Sequence, residues 1–143
     1  MRKFLLEVCC GSVEDVLAAR AGGADRVELN SCLFHGGLTP SIGELIAAKK
    51  MVDIPMMTMV RPRQGGFCYT DAEYRTALAD AEQLLAHGAD GLVFGFLNPD
   101  GTLDEASPRL SGTTWMSAAA STSGSRSLGW KSTKRPLGRS AAW

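Results

Sequence analysis

The sequence predicts an α/β protein, a parallel sheet assembled from consecutive strand–helix units. Three observations carry that expectation. Short apolar runs of strand character alternate with stretches whose apolar residues recur at helical spacing. The helical stretches open on capping residues and close on glycine. An internal echo, "GGADRVEL" at 22–29 against "HGADGLVF" at 87–94, repeats a helix end, Gly-Ala-Asp and a strand, as expected where whole strand–helix units recur.

The elements follow in order. Residues 4–8, "FLLEV", read as a buried strand. Ser12 is placed as an N-cap, with Asp15 three positions on and Val13, Val16, Leu17 and Ala21 along one helical face. Gly22 and Gly23 stop that helix. "RVELN" (26–30) is a second strand, and 39–52 a second helix with Thr39 as N-cap and Pro40 at its first position. "IPMMTMV" (54–60) is a third strand. Thr70 and Glu73 form a capping box for a third helix, with Tyr74, Leu78, Ala81 and Leu85 on one face and His87-Gly88 at its end. "GLVFGF" (91–96) is a fourth strand and "NPDG" (98–101) a turn. Such alternation suits either an open doubly wound sheet or a (β/α)8 barrel. The first strand–helix turn, "CCGSVED", holds one glycine, which disfavours the dinucleotide-binding version of the open sheet.

Composition narrows the class. The 143 residues are 45% hydrophobic and 21% charged, enough for one domain with a core. The apolar runs fall far short of a membrane span. Residues 2–6 briefly imitate a secretion signal until Glu7 interrupts them. Four cysteines without an export signal imply free thiols in a reducing cytoplasm. The zero net charge divides unevenly. Residues 1–110 carry 10 basic and all 15 acidic side chains, and 111–143 carry 5 basic and no acidic ones. The acidic part argues against nucleic acid as a partner. The tail holds all three tryptophans among Ser, Ala and Thr, with little from which to build a strand or helix face, and is expected to be disordered.

In either fold, ligands gather at the carboxyl ends of the strands. Glu7 and Glu28 interrupt apolar strands, and period-two alternation turns both carboxylates away from the helices. Arg26 or Arg61 is the expected countercharge. Gly36 and Gly37, followed by Thr39 and Ser41 at a helix start, have the form of an anion site, and Arg61 and Arg63 supply guanidiniums suited to phosphate or carboxylate. The plain alternatives are a structural ion pair, an ordinary turn and an ordinary helix start. A second constellation is soft. Cys9, Cys10, Cys32 and Cys68 all fall at or just beyond strand ends, His35 is near in sequence, and Met56, Met57 and Met59 occupy the third strand. Thiolate and thioether donors select Cu(I) or zinc, yet no CxxC pair with zinc spacing is present. The alternative is that these residues are small core hydrophobes and core filler.

The motifs "LEVCCGSVEDVLAARAGGADRVEL", "GGLTPSIG", "IPMMTMVRPRQGGFCYTDAEY" and "GADGLVFGFLNPDGTLD" together resemble the CutC copper-homeostasis family, in order and spacing, over about residues 4–110. The resemblance implies the N-terminal half of a TIM-type (β/α)8 barrel, about four parallel strand–helix units, in a cytoplasmic protein linked to copper tolerance and to Cu(I) binding through cysteines. Glu7, Arg26, Glu28, Thr39, Ser41, Arg61, Arg63, Phe67 and Tyr69 fall on the family's pattern, and Cys9 stands where members carry a cysteine. Where many members have a cysteine after "VEL", this chain has Asn30, with Cys32 two places later. A full barrel needs about 200 residues or more. The family's Phe-His-Arg-Ala-Phe-Asp-like strand and glycine-rich loop do not follow, and from "ASPRL" (106–110) the composition changes, as in a frameshifted or foreign end.

Three functions are therefore expected in competition. The first is copper homeostasis, with Cu(I) at Cys9, Cys10, Cys32 or Cys68. The second is a barrel enzyme acting on a small anionic substrate, with Glu7, Glu28 or Arg61 catalytic. The third is a truncated member without activity. The exposed edges of a half barrel are expected to promote self-association.

Overall fold

The computed structural model describes residues 4–102, Asp104 and the backbone of Trp115–Ser117. Its strands are β1 (Glu7–Cys10), β2 (Arg26–Leu29), β3 (Met56–Met59), β4 (Gly91–Phe94) and β5 (Trp115–Ser117). Its helices are α1 (Val13–Ala21), α2 (Ile42–Met51) and α3 (Asp71–Ala86), with a 3-10 turn at Leu33–His35. The sheet runs β1-β2-β3-β4-β5, every neighbouring pair parallel. Sequential parallel order with intervening helices is the construction of a TIM-type barrel wall.

The echoed Gly-Ala-Asp performs the same task twice. Gly23 and Gly88 take φ of +86° and +101°. The N–H of Gly23 donates to Arg20 O and that of Ala24 to Ala19 O, and Gly88 and Ala89 repeat the pair onto Leu85 and Leu84. This is the Schellman arrangement, which satisfies the orphan carbonyls of a helix end. The aspartates then start the next strand. The Asp25 and Asp90 carboxylates accept the N–H of Leu6 and Met56, both at 2.7 Å. At the other ends of the helices, Ser12 caps α1, and Thr70 with Glu73 forms the capping box of α3.

Several boundaries differ from expectation. β1 begins at Glu7, and Phe4 and Leu5 lie outside it, 71% and 58% exposed. The ladder with β2 starts where Leu6 O accepts Asp25 N–H, so the apolar lead-in has no layer to pack against. α2 is capped by Ser41, not Thr39. Thr39 is taken by the neighbouring strand end, its N–H donating to Arg61 O and its Oγ1 accepting Arg61 N–H. Pro40 therefore precedes the helix. On α1, Val16 is buried and Ala19 packs on the core, whereas Ala21 is exposed. On α3, the fully buried positions are Ala77, Ala81 and Leu84, flanked by Tyr74 and Leu85.

Trp115–Ser117 pairs with β4, an element the tail composition did not suggest. The open edge of β4 supplies the ladder, and Trp after two threonines has strand propensity. The rest of 111–143 lies outside the described residues.

Alternation divides the sheet cleanly. Cys10, Val27, Leu29, Met56, Leu92 and Phe94 join the helices in the main core with Val16, Leu45 and Leu84. Each buried aliphatic side chain there is worth about 1.5–3 kcal/mol. Met57, Met59 and Val93 form a separate cluster on the other face. That face is less open to water than a half barrel suggests, with the two methionines 7% exposed and Val93 1%. Barrel curvature draws inward-pointing side chains of adjacent strands together.

Candidate functional site

Residues opposite one another in a parallel ladder share a face, so the register builds the inner face layer by layer. Glu7 stands opposite Arg26. Cys9 stands opposite Glu28, Glu28 opposite Met57, and Met57 opposite Gly91. Met59 stands opposite Val93. Both expected carboxylates lie here, and Arg26 is the countercharge to Glu7, its Nε in ion contact with Glu7 Oε2. The two side chains are only 11% and 22% exposed, so the pair is held in a partly desolvated environment where attraction is strong.

Glu28 is the chemically distinctive carboxylate. Asn30, 1% exposed, donates from Nδ2 to Glu28 Oε1 at 3.2 Å and to Glu28 O at 3.1 Å. Burial raises the Glu28 pKa above the ordinary carboxyl range, Glu7 adds to the rise, and Asn30, Cys9 and Arg26 oppose it. Burial also raises the Cys9 thiol, helped by the negative charges of Glu28 and Glu7. Cys9 is an exposed thiol that stands across the ladder from Glu28. The role of Asn30 escaped the sequence reading. A polar residue two places beyond Glu28, on the same strand face, was the available signal.

The residues expected to bind an anion are divided between other tasks. Arg61 donates through Nη1 to the carbonyls of His35, Gly36 and Gly37 at 3.3, 3.0 and 3.0 Å, and through Nη2 to Gly65 O at 2.6 Å. Its guanidinium also lies 4.8 Å from the Phe67 ring centroid. Arg63 makes a two-point pair with Glu73, at 2.6 and 3.1 Å, and binds the carbonyls of Gln64, Gly66 and Cys68. That pairing pulls Glu73 down to about 2. A planar five-donor fork suits clustered carbonyls as well as it suits phosphate. The double glycine answers to the same geometry. Gly37 has φ +84°, and a Cβ there would run into Asn30 Oδ1; one on Gly36 would sit 3.0 Å from Arg61 Nη1. The close approach is to Arg61 and Asn30.

Thr39, Ser41 and Arg61 line a cavity of about 470 Å³ together with Glu44 and Asp80. Burial raises both of those carboxyls.

The four cysteines are free thiols in different surroundings. Cys10 points into the helix-side core, 0% exposed, its Sγ 3.6 Å from Val8 O, and burial pushes its pKa up to about 11. Period two sends it opposite to Cys9. Cys68 is exposed on the loop before α3. Cys32, also exposed, places Sγ 3.2 Å from His35 Nδ1 on the 3-10 turn. Among the described residues, no three His, Cys, Asp or Glu side chains converge as a metal-binding group. None of the described helices is long and apolar enough to cross a membrane.

Comparison with known proteins gives a consistent picture. A profile described as the CutC family matches residues 4–120. A CutC family protein of Treponema denticola is 54% identical over 104 residues, 73% of this chain and 42% of the relative. The human copper homeostasis protein cutC homolog is 51% identical over 102 residues, 71% of this chain and 37% of the relative. The crystal structure of a Streptococcus agalactiae protein bearing the CutC copper-homeostasis name superposes with a TM-score of 0.66 at 31% identity, covering 71% of this chain and 50% of that one. The chain thus spans about two fifths of the length of these curated relatives.

Proposed function

The chain belongs to the CutC family, and from that premise we propose that it serves copper homeostasis by taking up Cu(I) on the inner sheet face, with Cys9 as the primary donor. The supporting observation is the composition of that face. It carries two carboxylates against one guanidinium, with a thiol and the thioethers of Met57 and Met59. Net negative charge with soft donors favours a soft cation and disfavours an anionic ligand. Cu(I) binding replaces the thiol proton, which leaves to solvent, and the copper keeps its oxidation state. Because Cys9 is raised, the proton competes, so affinity should climb about tenfold per pH unit through neutrality. Cytoplasmic work fits this reading, since the thiol must stay reduced.

The test is an anaerobic Cu(I) titration against a chromophoric chelator. Cys9→Ser should abolish the inner equivalent, and Cys10→Ser should leave copper affinity unchanged because its thiol faces the core. Undiminished binding by Cys9→Ser would reject the site.

The raised carboxyl of Glu28 favours one second reading, a barrel enzyme in which Glu28 exchanges a proton with a small substrate. Retained Cu(I) affinity in Glu28→Gln, together with lost turnover of a small phosphorylated or carboxylated compound, would select it. A chain that does neither is a family segment without activity of its own.

A further inference from the structure

We infer that Cys32 and His35, side by side on the exposed turn after β2, form a second Cu(I) site at the rim of the sheet, separate from Cys9; this rests on the copper reading above. A thiol and an imidazole meet there, Sγ and Nδ1 only 3.2 Å apart. Both residues are exposed. They belong to one Cys-x-x-His turn, closed by His35 N–H on Cys32 O and Gly36 N–H on Leu33 O, each at 2.9 Å. Arg61 then ties the carbonyls of His35, Gly36 and Gly37 to the sheet end, so the turn that gathers the donors is itself anchored.

The dimensions suit an ion. Bonds of the length zinc makes to sulfur and nitrogen, about 2.3 and 2.0 Å, put S and N about 3.5 Å apart at a tetrahedral angle, and the wider angles open to Cu(I) put them up to about 4.3 Å apart. Small side-chain rotations supply that. Thiolate selects Cu(I), and imidazole accepts copper. On binding, the Cys32 thiol gives its proton to solvent as the Cu–S bond forms. His35 binds as neutral imidazole through Nδ1, and nothing is oxidised or reduced. Two donors leave the remaining coordination positions open to water or to an incoming thiolate. Such a site exchanges its ion readily, in keeping with a place at the rim. Phe34, 97% exposed between the two donors, gives the turn an apolar shoulder.

The chain contains two histidines, and His87 has its Nδ1 on Gln83 O at the end of α3, so His87 is an internal control. The experiment is nitrogen-15 NMR of the two imidazoles in the full chain during anaerobic Cu(I) addition, with chelator competition alongside. His35 Nδ1 should shift while His87 stays in place. Cys32→Ser should remove the shift, and His35→Gln should weaken the outer equivalent about 10–100-fold, at least the cost of losing a supporting ligand contact. Cys9→Ser should leave the His35 shift intact. A His35 resonance unmoved by Cu(I), or moved equally in Cys32→Ser, overturns the inference even if Cys9 binds. A shift lost in Cys9→Ser overturns it in favour of one shared site. A His35 shift that depends on Cys32, in a chain whose Cu(I) stoichiometry Cys9→Ser does not change, leaves this site standing while the inner-face reading falls.

Discussion

Replacing Gly37 by alanine should destabilise the protein more than the same change at Gly36, although both glycines have nearly the same φ, +84° and +83°. Adding a Cβ in the left-handed region costs about 1–2 kcal/mol at either position. At Gly36 the Cβ sits 3.0 Å from Arg61 Nη1, a contact relieved when the guanidinium gives by a few tenths of an ångström. At Gly37 it collides with Asn30 Oδ1, and Asn30 is 1% exposed with nowhere to go. Moving it breaks two hydrogen bonds to Glu28, worth together about 2 kcal/mol. The expected totals are about 3–4 kcal/mol for Gly37→Ala and about 1–2 kcal/mol for Gly36→Ala. Gly66→Ala, where the Cβ meets nothing within 4 Å, is the control. Urea denaturation of the three variants measures the differences. In an Asn30→Ala background the excess at Gly37 should vanish, because the collision partner is gone. Equal destabilisation at Gly36 and Gly37 would refute the reasoning.

Two further outcomes are expected. Glu28 has a raised folded pKa, so its proton is held more tightly when folded, and stability falls as pH rises from the ordinary carboxyl value of about 4.3 through the folded value. Glu28→Gln removes that fall, so its stability relative to the parent should climb over the window and level off above it; urea midpoints between pH 4 and 8 that differ by a constant would contradict this. Phe4 and Leu5 are exposed beside β1, whose outer edge has no strand partner among the described residues, so the chain should self-associate in sedimentation velocity and Leu5→Lys should reduce it. A parent protein that stays monomeric as concentration increases would count against the edge as the cause.

What the sequence determined by itself is local. The strand–helix alternation, the capping box at Thr70, the Gly-Ala-Asp helix stops and the turn of Glu7 and Glu28 away from the helices each follow from residues a few positions apart. Backbone geometry settles them before any distant partner arrives. The separation of Cys9 from Cys10 belongs to the same class, because neighbours on a strand point to opposite faces. The family motifs were also legible, although their glycines and arginines read more readily as a ligand cradle than as loop staples. Only the tertiary structure decided where the long polar side chains went. Arg61 reaches carbonyls about 25 positions away, Arg63 reaches Glu73, and Thr39 gives up a helix cap to pair with Arg61. The physical reason is competition. A guanidinium or hydroxyl binds whichever acceptors the fold delivers, and here the packing of two glycine-rich loops at one sheet end delivered backbone carbonyls before any ligand.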